Sequence, residues 1–420
     1  MPKQSINEIE FKEKRSSYII IFLLIYITSS YFATISGLVS GTICIVGLIF
    51  ISILSVILNN RNFKENFNLK SYLLLLLLII VSLVSSFIYG DGIYNHIIIL
   101  SAVISGYLVT LAYSFERFIN VYLKIMYFIS VFSIIVYLIV SFVPSILNFT
   151  PVIGYRVGVE VHNLFFSVAL PGAEFNRNYG LFWEPGAFQV YLNLALIFEL
   201  FTKKTVRKRY VVGFIIAIIT TFSTTGYIVL VPILLAYLIN NGRINMNYKK
   251  TYKYFLVISL LSFLVLEFMP EEYIRLIFGK LEGVFSEGGS TNFSTTVRVN
   301  AIVFPFYEFI RSPLIGVGYR QYLAMAAEKI FTMPTFTPIN WFALFGLLWG
   351  VSCNYYYLRN IMHFKSGNIS RCLIAIALLL VIMSEDFIRI AFMYVLIFYG
   401  TKNFKRNKKN LNKPSFGGEL

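Results

Sequence analysis

In NRNYGLFWEPGAFQ, residues 176–189, an arginine and a glutamate stand at the mouth of an apolar run that continues to Phe198. Arg177 presents a planar fork of donors that suits phosphate or carboxylate. Glu184 could bind a hydroxyl or take its proton. Pro185 suits the first turn of a helix. Glu184 is therefore expected at a helix N-terminus, where the dipole favours a carboxylate in any case. Both readings of Glu184 stand open. Charge at the edge of a membrane segment is costly unless paired or wetted, so it suggests function.

Two further clusters carry candidate chemistry. STTVRVNAIVFPFYEFIRSPLIGVGYRQY (294–322) supplies Arg298, Arg311 and Arg320. Ser294, Thr295 or Thr296 could cap a helix there. Gly316 and Gly318 allow a tight turn with exposed amides, a weak phosphate-cradle signal alone and a better one beside three arginines. The alternative is an interfacial helix anchored by arginines. SEDFIR (384–389) holds Glu385, Asp386 and Arg389, close enough in sequence for internal pairing. Otherwise one carboxylate supports catalysis or holds an arginine. TTFSTTGY (220–227) is a polar hairpin tip whose hydroxyls are expected to satisfy backbone groups.

The elements that position these residues follow from composition. The chain is 420 residues long, 57% hydrophobic and only 13% charged, against about 25% charged in soluble domains. Apolar runs reach the roughly 20 residues that cross a bilayer. The reading is an all-α polytopic membrane protein, one transmembrane domain over 1–420. The first apolar run is expected to be retained, not cleaved as a signal peptide. Candidate helices are 17–35, 37–58, 71–90, 93–113, 118–142, 180–201, 210–224, 226–240, 253–269, 336–358, 371–386 and 388–402. That makes about twelve, with two long outer loops at 143–179 and 270–335.

Charge sets the orientation. With the N-terminus in the cytoplasm, basic clusters such as KKTVRKR (203–209), NYKKTYK (247–253) and KNFKRNKKN (402–410) all fall inside, as the positive-inside rule requires. The net charge of +16 is thus an orientation signal that also suits anionic lipid, and nucleic acid is not expected as a partner. The outer face then holds Arg156, Arg177, Arg275, Lys280, Arg298, Arg311, Arg320, Lys329 and Arg389, mostly arginine. Such a bias suits a phosphorylated ligand. Salt bridging to Glu271, Glu272, Glu282 and Glu308 is the plainer alternative. Cys44, Cys353 and Cys372 are scattered and suggest neither disulfides nor a metal site. His162, a lone outer histidine, carries no assignment.

Three pieces in order resemble the bacterial O-antigen polymerase and ligase superfamily. They are RNYGLFWEPGAF at a helix mouth, TTVRVNAIVFPFYEFIRSPLIGVGY in a large outer loop, and PINWFALFGLLWG opening the next helix. The resemblance implies a glycosyltransferase-C-like membrane fold in the bacterial inner membrane, with both termini cytoplasmic. It implies transfer of undecaprenyl-pyrophosphate-linked oligosaccharide repeat units at the outer face, without metal or other cofactor. A chain-length regulator protein stays open as a partner. By resemblance, Arg177 and Arg298 match arginines that hold pyrophosphate. Arg156 to Gly172 reproduces an arginine–glycine spacing of some polymerases, which the second loop lacks. Ligases carry a His-Asn pair where this chain has Ile339-Asn340. That favours a polymerase and leaves a carboxylate as base: Glu184 first, then Glu385 or Asp386. The ligase and a flippase for the same lipid are the alternatives. A diphosphate lipid needs arginines, an apolar groove and aromatic platforms for sugars. Tyr179, Phe182, Trp183, Phe188, Tyr307, Tyr319 and Tyr322 are the aromatics at hand.

Overall fold

The computed structural model describes residues 3–59, 63–156, 158–170, 176–241, 303–330 and 334–402. The chain is mostly helical. In order, the helices are α1 (Lys3–Ser29), α2 (Tyr31–Thr34), α3 (Gly41–Leu58), α4 (Phe63–Asn66), α5 (Leu69–Tyr89), α6 (Ile93–Ala112), α7 (Phe115–Phe142), α8 (Pro185–Thr202), α9 (Lys208–Thr220), α10 (Thr224–Asn240), α11 (Tyr319–Ile330), α12 (Thr337–Arg359), α13 (Asn368–Ile382) and α14 (Ala391–Gly400). A further helix covers 303–311. Helices thus occupy every candidate position except 253–269, which lies outside the described residues, as does most of the 270–335 loop. α3, α5, α6 and α7 are long and apolar enough to cross a membrane. Arg15–Ser29, α10, α13 and α14 are shorter apolar helices.

α8 and α14 form the centre. Nearly every residue of both is buried, as expected of helices that are apolar on all sides. α6 packs on α14 through Gly106, where any Cβ would strike Tyr394 at 2.6 Å. Ser30 splits the first candidate helix: its Oγ accepts from the Ala33 amide at 3.1 Å and starts α2.

The 143–179 segment departs from the all-α expectation. It holds a 3₁₀ turn (Pro144–Phe149) and a three-stranded antiparallel sheet, β1 (Val152–Arg156), β2 (Val159–Asn163) and β3 (Val168–Ala169), in that order. Val152 lies opposite His162, and His162 opposite Ala169. Ile153, Val161 and Val168 bury one face against Tyr31 and Tyr179. These strands are too short for alternation to distinguish them from loop.

The 303–322 segment is held by two devices. α12 breaks at Gly346 (φ 77, ψ −168), which frees backbone groups that the helix would otherwise pair. The 313–318 turn satisfies them. Val317 N donates to Ala343 O at 2.9 Å, Gly318 N to Leu344 O at 3.3 Å, and Leu347 N to Pro313 O at 2.8 Å. Gly316 and Gly346 face each other so closely that a side chain on either would overlap the opposing backbone. Asp91, in the α5–α6 turn, caps α11 from outside the helix. Its carboxylate accepts from the amides of Tyr319 at 2.5 Å and Arg320 at 3.1 Å, with His96 Nε2 at 3.3 Å. His96 in turn meets Ser82 Oγ at 2.9 Å.

The Gly316/Gly318 pair is therefore not a phosphate cradle. Its turn donates its amides to α12, and Gly316 N bonds Ser312 O. The positive φ at both glycines serves the turn.

Candidate functional site

Glu184 is the N-cap of α8 by backbone conformation, with Pro185 in the first turn, as expected. Its side chain makes no capping bond and turns instead to Arg156 at the end of β1, forming an ion pair. Arg156 Nη1 also donates to Trp183 O at 2.7 Å. Arg156 is thus committed to the WEP segment, and the sheet is what delivers it there.

Next to this pair stands Glu385, in the α13–α14 connection. Trp183 Nε1 donates to Glu385 Oε2 at 3.4 Å. Gly186 leaves room for the carboxyl: a Cβ at that position would collide with Glu385 Oε1. The glycine of WEPGAF is thus a packing requirement for Glu385. Burial, and then the Glu184 charge, push the Glu385 pKa well above the carboxylate range. The Glu385 backbone is held by Thr337: Thr337 Oγ1 donates to Glu385 O at 2.5 Å and accepts from Phe387 N at 2.8 Å. Gln189 fixes the same turn by donating to Ser384 Oγ at 3.2 Å.

Asp386 and Arg389 point the other way, into a cavity of about 320 Å³. The cavity is bounded by Trp183, Asp386, Arg389 and Ile390 at one side. α1, α3 and α6 supply Ile27, Thr28, Ile45, Leu48, Ile98 and others. Burial raises the Asp386 pKa to about 6, opposed by a bond from Ile388 N at 3.1 Å. Arg389 lies over the Tyr319 ring, 4.8 Å from its centroid, in cation–π contact. Among the described residues no carboxylate pairs with Arg389, and its Nε is buried without a hydrogen-bond partner. Burial lowers its pKa, the expected direction for a cation taken from water. The internal pairing of SEDFIR does not form. Glu385 is used by Trp183, Asp386 by the Ile388 amide, and Arg389 by Tyr319.

The other sequence candidates divide. Arg177 donates through Nε to Thr221 O at 2.9 Å and through Nη2 to Phe222 O at 3.1 Å. It caps the C-terminal end of α9, so both donors of one edge go to carbonyls, not to a ligand. Arg177→Ala is expected to cost about 2 kcal/mol of stability, read as a lower unfolding temperature in detergent. Donor-lipid affinity should stay within a few-fold of the parent; a large affinity loss at unchanged stability would return Arg177 to the binding site. Arg311 is 65% exposed and faces Glu308 at 3.7 Å, the plainer reading of that arginine. Arg320 points outward; its backbone amide, not its side chain, meets Asp91. Arg298 and the Ser294–Thr296 cap lie outside the described residues, as does Gly172.

The aromatics also divide. Phe182, Phe188 and Tyr322 are core residues, so they have no face free for sugar. Tyr179 and Tyr319 are nearly buried, and Tyr307 is exposed. Trp183 alone among them lines the cavity. The hairpin tip behaves as expected in part: Thr220 and Thr221 hydroxyls return to backbone carbonyls, whereas Thr224 Oγ1 is buried without a partner among the described residues. Asn340 is buried, accepting from Tyr322 Oη at 2.7 Å and donating to Pro334 O at 2.8 Å. Among the described residues no three His, Cys, Asp or Glu side chains are grouped to hold a metal.

Sequence reasoning missed the wall of the cavity that α1, α2, α3 and α6 form. Thr28, Thr34, Gly41, Cys44 and Ser101 line it. Small and polar residues on otherwise apolar helices were the available signal.

The fold and site define a mostly helical membrane protein with charged side chains at one end of a mostly aliphatic cavity. Set against family models and curated proteins, the chain matches none.

Proposed function

We propose that the chain is an O-antigen-type polysaccharide polymerase. It joins undecaprenyl-pyrophosphate-linked oligosaccharide repeat units by glycosyl transfer at the outer face of the bacterial inner membrane. One observation carries this reading: an arginine with no carboxylate partner among the described residues faces a cavity whose far walls are mostly aliphatic, with a few small polar side chains. That combination suits an anionic group attached to a hydrocarbon chain.

On this reading Arg389 binds the pyrophosphate and stabilises the charge that grows on it. The attacking sugar hydroxyl oxygen forms a bond to the anomeric carbon of the donor. The bond from that carbon to the pyrophosphate oxygen breaks, and its electron pair leaves with undecaprenyl pyrophosphate. Asp386 accepts the hydroxyl proton. Its pKa of about 6 lies close to working pH, where a general base is most effective. This makes Asp386 a better base than Glu184, which is tied to Arg156, or Glu385, whose pKa burial and the Glu184 charge raise well above the usual value. Trp183 supplies a sugar-stacking face at the pocket edge. Direct displacement inverts the transferred anomeric centre.

The test is an assay of the purified protein with a synthetic undecaprenyl-pyrophosphate-linked repeat unit, resolved by chain length on a gel. A ladder without nucleotide sugar or metal supports the polymerase. Transfer only onto added lipid A core would make the protein a ligase. Neither product would overturn glycosyl transfer in favour of transport.

A further inference from the structure

A second cavity, about 470 Å³, lies between α5 and α12. Lys70, Leu73 and Leu77 line it from α5, and Ser352, Tyr355 and Arg359 from α12. The spacing on each helix is that of one face. Lys70 begins α5 and Arg359 ends α12, so the two cations share one end of the trough and the leucines run away from them. No acidic side chain is among the lining residues.

Three further observations bear on its occupant. Lys70 is exposed and makes no ion pair among the described residues. Phe63, Phe67 and Tyr72, all at least 40% exposed, stand in a row beside it, with ring centroids 6.5 and 6.4 Å apart. Exposed aromatics at this level mark a membrane–water interface. Lys70 and Tyr89 lie at opposite ends of α5, about 30 Å apart along the helix. Tyr89 is the end that bonds the Gly316 carbonyl. The trough is therefore a different site from the Arg389 cavity, at the other face of the membrane.

We propose that the α5–α12 trough binds an anionic glycerophospholipid, its phosphate between Lys70 and Arg359 and its upper acyl chain along Leu73 and Leu77. A pair of cations above an aliphatic floor fits a headgroup of net negative charge better than a zwitterionic one, whose own cation would meet Lys70 and Arg359. The site rests on the membrane reading of the chain and not on the polymerase reading.

The experiment uses the full-length protein purified in a neutral detergent. Retention of phosphatidylglycerol and of phosphatidylcholine with identical chains is compared by native mass spectrometry. Phosphatidylglycerol should bind roughly 30-fold more tightly, the effect of two basic side chains at a membrane surface. The preference should vanish in K70Q/R359Q and weaken in K70Q alone, whose side chain is too exposed to matter for folding. Lys208→Gln, also basic and exposed, should leave it unchanged. Equal retention of the two lipids, an equal loss in Lys208→Gln, or displacement by millimolar inorganic phosphate would each overturn the proposal.

Discussion

Arg389→Ala is expected to lower the rate of glycan polymerisation by about 10²–10³-fold, the usual cost of losing one preorganised donor to a developing oxyanion. Donor-lipid affinity should fall as well, because the same guanidinium would hold the pyrophosphate before reaction. Arg389→Lys should recover part of the affinity and less of the rate, since a point charge lacks the planar fork. Initial rates of ladder formation and donor titration on the same preparations separate the two effects. The contrast with other arginines is the sharper test. Arg156 is paired with Glu184 and Arg177 caps α9, so their loss should act through stability. Activity in Arg389→Ala within threefold of the parent would remove Arg389 as the anchor.

The second large effect is expected at Asp386. Asp386→Asn should reduce turnover by about 10²–10⁴-fold, the span of general-base contributions, while donor binding persists. The pH profile carries the sign. The competent base is the carboxylate, which is present above a pKa of about 6. Rate should therefore fall as pH drops through about 6 and level off above about 7. In Asp386→Asn the residual rate should lose this acid limb. Glu385→Gln should behave differently. Burial and then the Glu184 charge raise the Glu385 pKa well above the usual value, which favours the neutral acid, and a neutral amide resembles a neutral carboxyl. A profile in which Glu184→Gln, not Asp386→Asn, erases the acid limb would transfer the role to Glu184.

Some of this site was legible in the sequence. Glu184 at a helix mouth followed from Pro185 and the apolar run behind it, because proline fixes the first helical turn. SEDFIR was recognisable as a candidate cluster by its charge between two apolar helices. The division of labour within it was not. Glu385, Asp386 and Arg389 differ by a few positions, yet one faces Gly186 and the others face the cavity. Arg177 read as a phosphate ligand because its fork of donors stands at the mouth of an apolar run and because it matches a pyrophosphate-holding arginine by resemblance. Its true neighbours, the carbonyls of Thr221 and Phe222, come from a helix end distant in sequence.

What the sequence determined by itself, among the described residues, is where the apolar helices lie, to within a few residues at most ends. Hydrocarbon length and period are local properties, and solvation acts on each segment almost independently of its neighbours. Tertiary structure decided which helices are central, where α12 breaks, and which charges meet. α8 and α14 cannot be told from peripheral helices by composition, since lipid and protein interior are equally apolar. The break at Gly346 exists because the 313–318 turn supplies the missing backbone partners. The pairing of Arg156 with Glu184 depends on a short sheet that no periodicity signals. Charge pairing is decided by distance in space, and the chain order of these residues does not contain that distance.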